Sequence, residues 1–439
     1  MSFGNVPRDL NLSSLSVFRS TASKSINGFF SANIRTVGAL FQYQRVPSEP
    51  WVTAESRTVP ATQLGNLYTL PAPIKALNLN FDGSTLAVTL LNPAIGSTSL
   101  LSVLSNTAGV YSQQAIPLPP DAVGVTNGSA SLSDNGKILA FGGGTDNGNI
   151  GAVWIYADVA GVWTLQGPKI TGPGEIGAGQ FGYKLSLSGS GNLLAVSSPF
   201  ETPAGAAYIF NLSSLSNPTF VARIVGTPIN PGSLFGWDVC FSADGSTLAV
   251  GASNYFSTNG SVFIFTKFQT QQSQWSQQAY LPSPPGVSIQ YFAYNVSLSA
   301  DGNILAASGN NNAVIYYRQR SGAQSLGAQS LWAQSFASWS SGSLLPLPYD
   351  SVGVITQYLA IISQDGNSIC TSNINNNGNV GASWIFSQGP PETWTQNGPA
   401  FVGTGAINTA TQQGYSKISG NGHVAAVQDN TEALLWIFV

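Results

Sequence analysis

Charge is scarce in this chain of 439 residues. Only 8% of it is Asp, Glu, Lys or Arg, against roughly 25% in ordinary soluble domains. The net charge of −3 is too small to select a charged partner. Arg8, Arg19, Lys24, Arg35, Arg45 and Arg57 lie near the start, but they are scattered among apolar residues. A nucleic-acid stripe needs basic residues clustered on one face, so no nucleic-acid partner is expected. Histidine occurs once, as His423, and cysteine twice, as Cys240 and Cys370. A Ser-His-Asp triad would have to be built on that one histidine. A zinc site would need it together with two distant thiols. Neither is expected; His423 reads as a surface turn residue and the cysteines as buried free thiols. No GxSxG occurs, and no phosphate-binding glycine fingerprint sits between a strand and a helix. Residues 1–30 lack a basic start followed by an apolar stretch, so no secretory signal is seen. No run approaches the ~18 apolar residues of a membrane helix, and no membrane insertion is expected.

Apolar residues make up 43% of the chain, with 48 Gly and 25 Pro. The surface must then be covered by Ser, Thr, Asn, Gln and Gly. Such neutral surfaces suit β-rich proteins outside cells or on viral particles.

One phrase recurs: an apolar strand, a tight polar turn ending in Gly, and a second apolar strand. It reads FDGSTLAV (81–88), SDNGKILAF (133–141), SGSGNLLAV (188–196), SADGSTLAV (242–250), SADGNILAA (299–307), SQDGNSICT (363–371) and SGNGHVAAV (419–427), with a degenerate copy SINGFFSANI (25–34). The turn glycines are Gly28, Gly83, Gly136, Gly191, Gly245, Gly302, Gly366 and Gly422. The period is about 55 residues, stretched once by the stuttered insert 322–336. Asp-Gly and Asn-Gly between apolar runs are the strongest short hairpin signal, because Gly and Asn tolerate positive φ. A third strand rich in aromatics follows each hairpin, as in GAVWIY (151–156), GAAYIF (205–210), GSVFIF (260–265) and GASWIF (381–386). A fourth is often marked by Trp, at Trp51, Trp163, Trp275, Trp332 and Trp394.

Four antiparallel strands per repeat make a propeller blade. The expectation is all-β: a single closed β-propeller domain over 1–439, with the third-strand aromatics packed between blades. Eight turns imply eight blades; seven is the alternative if residues 19–58 only complete the last one. The last repeat stops after its third strand, so the N-terminal segment 1–18 is expected to supply the missing outer strand and remove an exposed edge.

Phe181-Gly182-Tyr183 and Phe235-Gly236-Trp237 open two repeats, and Gly251-Ala252 follows a second strand. The order SADG-LAVGA-GSVFIF (242–265) resembles the FG-GAP repeat of integrin-α-like β-propellers. The resemblance spans nearly the whole chain, although only two or three copies carry the full motif. It implies extracellular recognition without naming a ligand. Members of that family often hold calcium between the second and third strands. The matching loops here, 142–151 and 372–381, hold one carboxylate, Asp146, and none. Calcium needs ~6–8 oxygens, so no metal and no cofactor are expected.

Loops joining second to third strands, and fourth to next-first strands, should emerge on one face. They carry the candidate contact residues Phe200 (in 197–205), Tyr255 and Phe256 (in 252–260), and Tyr291 and Phe292 (in 288–294). Aromatics on loops of a rigid scaffold are candidates for recognition. The function expected is non-catalytic: binding of a protein or glycan partner, or a part in a larger extracellular or virion-surface assembly. The alternative is a glycosidase-like propeller, since paired carboxylates cleave sugars and Glu175 and Glu201 fall in loops of one face. Sequons at Asn11, Asn127, Asn211, Asn259 and Asn295 matter only in a glycosylating compartment.

Overall fold

A computed structural model describes residues 63–439, apart from 65–67, 71, 93–97, 126–127, 176, 254–259, 268–273, 288, 320–337, 347, 349–357, 374–380, 391, 404–412 and 430–433. These residues belong to one compact unit, Thr58–Val439. It holds seven four-stranded antiparallel blades arranged in a ring, a β-propeller. Blades 1 to 6 span 74–116, 128–165, 185–224, 235–282, 295–344 and 358–396, and blade 7 spans 413–438. Strands follow in chain order from the axis outward. Blade 5 shares its outer position between Ser338–Trp339 and Ser343–Leu344, both paired with Ala313–Gln319.

The count is seven rather than the eight expected, and the difference lies at the N-terminal side. The first described hairpin turn is at Gly83; the copy around Gly28 lies outside the described residues. Blade 7 contributes Gln413–Ile418, Ala425–Asp429 and Leu434–Phe438. Its outer place is taken by Tyr68–Thr69, with Tyr68 opposite Leu435 and Thr69 opposite Leu434. Leu64 N–H also donates to Ile437 O at 2.7 Å. The added strand is therefore Tyr68–Thr69; the segment 1–18 expected in that place lies outside the described residues.

The turns explain why the repeat reads Ser-x-Asp-Gly. In blade 5 the Ser299 hydroxyl donates to Asp301 (2.6 Å) and accepts from Ile304 N–H (3.0 Å). Asp301 in turn accepts from Asn303 N–H at 3.0 Å. Gly302 takes φ +65° and donates its N–H back to Ser299 O. Blade 1 does the same with Asn80 and Asp82, and blade 7 with Ser419 and Asn421. The seven turns also bond to one another. Phe81 N–H donates to Asp134 O, Asp134 to Gly189, Gly189 to Ala243, Asp244 to Ala300, Ala300 to Gln364, Asp365 to Gly420, and Asn421 to Phe81, at 2.6–3.4 Å.

Side chains on the innermost strands brace neighbouring blades higher up. Asn78 accepts from Leu132 N–H, Ser131 from Leu187, Ser186 from Phe241, Cys240 from Leu298 and Ser297 from Ile362, at 2.8–3.3 Å. Between the sheets lie seven apolar clusters, one for each pair of adjacent blades, that of blades 7 and 1 included. The third-strand aromatics fill them: Trp154, Tyr208, Phe263, Tyr316, Trp384 and Trp436 are all buried. Burying each such ring contributes roughly 1.5–3 kcal/mol.

Candidate functional site

Each innermost strand runs toward the turns, so its start lies on the opposite face. The loops between second and third strands open there too. In blades 3 and 4 that start is the Phe-Gly pair. Phe181 forms a parallel bridge to Gly151 of blade 2, and Phe235 to Gly205 of blade 3. Gly182 and Gly236 each take φ +91°. A Cβ on Gly151 would meet Phe181 O at 2.1 Å, which is why glycine is required there. Both Phe rings turn inward, Phe181 onto Tyr208 (5.3 Å) and Phe235 onto Phe263 (5.3 Å). The Phe-Gly pair is thus a clamp between blades.

The residue after the clamp is aromatic: Tyr183, Trp237 and, in blade 5, Tyr294. Their rings form a continuous arc on the loop face, at the starts of the innermost strands. Tyr183 lies 5.2 Å from Trp237, and Trp237 lies 5.5 Å from Tyr294. Tyr294 is hydrogen-bonded to Tyr415 of blade 7. Phe200 packs on the outer side of the arc, 5.8 Å from Tyr183 and 6.2 Å from Trp237. It is 39% exposed, Trp237 only 8%, and the three tyrosines lie between buried and exposed.

The expected contact residues divide accordingly. Phe200 is exposed and joins the arc. Tyr255 and Phe256 lie outside the described residues. Tyr291 is half-buried at φ +54°. Phe292 is a correction: it is fully buried, packed among Val262, Ile289 and Val314. It is the blade-5 equivalent of the clamp Phe, and Ala293 adopts φ +64° where blades 3 and 4 have Gly. Its carbonyl presses on Gly260 as that of Phe181 presses on Gly151. Aligning FGY, FGW and FAY reveals both the clamp and the arc.

Beside the arc, Glu201 is buried and fully engaged. Arg223 Nε donates to its Oε1 at 2.9 Å and the Tyr208 hydroxyl to its Oε2 at 2.7 Å. Glu175 accepts from Ser198 Oγ at 2.8 Å, while its Oε2 has no partner. Burial first, and the nearby Glu201 charge in addition, push the Glu175 carboxyl up to about 7. The two acids are neighbours, and of the two only Glu175 has a carboxylate oxygen without a partner. Asp146, the single carboxylate of the 142–151 loop, accepts from Val123 N–H (2.6 Å) and pairs with Lys169 (2.7 Å). It holds that loop to its blade.

Cys370 is buried and donates to Ser416 Oγ at 3.1 Å; Cys240 is free as well. His423 is exposed on its turn. A groove of about 440 Å³ lies between the outer strands of blades 3 and 4. Gln277 bonds both backbone groups of Thr227 and Arg223 holds Glu201, whereas the Trp275 indole N–H, also in the lining, has no partner. No described helix is long and apolar enough to cross a membrane. No family model matches the chain, and no curated protein matches it.

Proposed function

We propose that this chain is a recognition propeller that binds a protein or glycan partner through its loop face and catalyses no reaction. The observation that carries the reading is the arc of Tyr183, Trp237 and Tyr294 with Phe200 exposed beside it. Clustered, partly exposed aromatics on a rigid support are the usual anchors of binding. The blade clamps supply the rigidity. The Phe-Gly openings and the hairpin order support kinship with FG-GAP, integrin-α-like propellers. Low charge and a polar, uncharged surface support a place outside cells or on a particle, within a larger assembly. Pairing of Tyr68–Thr69 with the last strand supports closure of the ring by a clasp of two distant chain segments.

The test is a glycan array together with affinity capture from the native source. Wild-type protein should bind, and the double variant Tyr183→Ala/Phe200→Ala should lose at least about tenfold in affinity while its melting temperature hardly moves. Full binding by the double variant would remove the arc from the site. The glycosidase reading rests on Glu175 beside Glu201. Turnover of a chromogenic glycoside that Glu175→Gln abolishes would replace binding with hydrolysis.

A further inference from the structure

The outer strands of blades 2, 4, 5 and 6 each carry a tryptophan at one shared place. Trp163, Trp275, Trp339 and Trp394 stand opposite Asp158, Lys267, Arg318 and Gln388. Each of those four partners donates its N–H to the carbonyl of the residue after the hairpin glycine, at 2.8–3.0 Å, so the positions are equivalent. In two of these blades the indole N–H reaches back to the preceding blade. Trp394 donates to the Tyr317 hydroxyl at 2.7 Å, and Trp339 to Gln278 Oε1 at 3.4 Å. Trp275 differs from both: its Nε1–H is buried and has no partner.

The preceding blade explains the difference. In blade 3 the place of Tyr317 is held by Asn211, since Leu193 pairs with Asn211 as Ile304 pairs with Tyr317. Asn211 Oδ1 already accepts from the N–H and the hydroxyl of Ser213, at 2.7 and 2.6 Å. The place of Gln278, the extra residue of an outer-strand bulge, is held by Val221, which has no side-chain acceptor. Between these two outer strands lies the groove of about 440 Å³, walled by Ala222, Ile224, Val225, Phe265 and Trp275. Arg223 is its only charged residue and is held by Glu201, while Gln277 is engaged with Thr227. The groove therefore offers apolar walls, one free donor and no free charge. Its complement is an uncharged apolar group that brings a hydrogen-bond acceptor, because a buried donor left unpaired is costly.

A second cavity of about 70 Å³ continues the same seam beyond Thr227, between Pro228 and Ile229 on one side and Phe263 and Tyr280 on the other. From Gln277 to Tyr280 the outer strand of blade 4 advances roughly 10 Å. Two pockets in file along a strand suit an elongated chain with successive anchors rather than one compact ligand. Thr219–Ile224, the outer strand of blade 3, lies beside them, and an edge strand presents backbone groups with which another chain pairs. A glycan would want several free polar side chains, whereas Gln277, Ser233 and Ser261 are already engaged. We propose that this seam binds an extended, uncharged peptide segment of a protein partner, with a large apolar side chain in the larger cavity and a backbone carbonyl accepting from Trp275 Nε1–H. The seam is built from outer strands, so the inference goes beyond the loop-face reading and stands without it.

The test begins with a phage-displayed library of random linear peptides, panned on the full chain. Selected peptides, synthesised with blocked ends, should contain an aromatic or large aliphatic residue, carry little charge and bind saturably in calorimetry. With isotope-labelled tryptophan, the indole signal that Trp275→Phe removes should shift downfield as peptide is added, while that of Trp394 stays in place. Trp275→Phe should weaken the peptide by about tenfold, and its melting temperature should hardly move, because the donor it loses has no partner. Trp394→Phe should do the reverse, losing the bond to Tyr317 and stability with it while keeping the peptide. Ala222→Leu, which fills the larger cavity, should also weaken the peptide at least about tenfold, and it carries the comparison should Trp275→Phe fail to fold. The Tyr183→Ala/Phe200→Ala variant should bind the peptide as wild type does. No enriched peptide, or peptides that bind both groove variants in full, would overturn the inference. Peptides lost only by the Tyr183→Ala/Phe200→Ala variant would belong to the loop-face arc, overturning the seam and supporting the recognition reading. Glycan binding that Trp275→Phe weakens, with no peptide bound, would overturn the choice of occupant.

Discussion

The two faces of the ring are built by opposite rules. On the turn face seven blades repeat one device, a Ser or Asn that accepts from the second strand beside a glycine at positive φ, and the turns bond in sequence around the axis. On the loop face the described openings are not uniform. Blades 3, 4 and 5 carry the clamp and the aromatic arc. Repetition here serves cohesion, since each interface must match the next.

That contrast can be broken at its strong side first. Trp384 is fully buried between blades 5 and 6. Trp384→Ala should cost about 3–5 kcal/mol, measured by urea unfolding, and a loss below about 1 kcal/mol would show that the blades do not depend on their shared cores. Gly302→Ala comes next. It forces alanine to φ +65° and brings its Cβ within 2.9 Å of the buried Thr247. About 2 kcal/mol should be lost, whereas Gly174→Ala on the loop face, at φ +70° with open space around it, should cost only the backbone term of about 1 kcal/mol.

A smaller, pH-dependent effect belongs to Glu175. Its carboxyl stands at about 7 in the fold against an ordinary 4.5. Between those values the native state holds a proton that the unfolded chain has released, so its contribution to stability falls as pH rises through the window and is constant above it. The melting temperature of Glu175→Gln, relative to wild type, should therefore improve from pH 5 to pH 7.5; parallel profiles would place Glu175 in ordinary solvent. The smallest effect sharpens the clamp. Ala293→Gly relieves a left-handed alanine and should stabilise by about 0.5 kcal/mol. A loss instead would mean that the Ala293 methyl contributes more to packing than its backbone strain costs.

The turns, the third-strand rings and the propeller class were legible because each is signalled locally, by Asp-Gly within apolar runs and by aromatics at a fixed offset. The strand Tyr68–Thr69 was not. Two residues carry no alternation, and their partners, Leu434 and Leu435, lie at the other end of the chain. Phe292 misled for a related reason. Phe200 and Phe292 both fall between strands, and it is the match of Phe292-Ala293-Tyr294 to Phe181-Gly182-Tyr183, with its left-handed second residue, that marks Phe292 as a clamp and not a surface residue. Lys417 sits inside a strand pattern, where a lysine reads as surface. Its place on the innermost strand follows only once the blade has its position in the ring.

The partnership between Tyr68–Thr69 and Leu434–Phe438 has a kinetic consequence. Blades 1 to 6 can each form from strands close in sequence as they leave the ribosome. Blade 7 must wait for a segment made at the start to meet one made at the end, and loop closure over such a distance is slow. Until then the emerging chain is an open arc with one unfinished sheet edge. That interval is when the protein is most exposed to self-association, and when a chaperone would matter most.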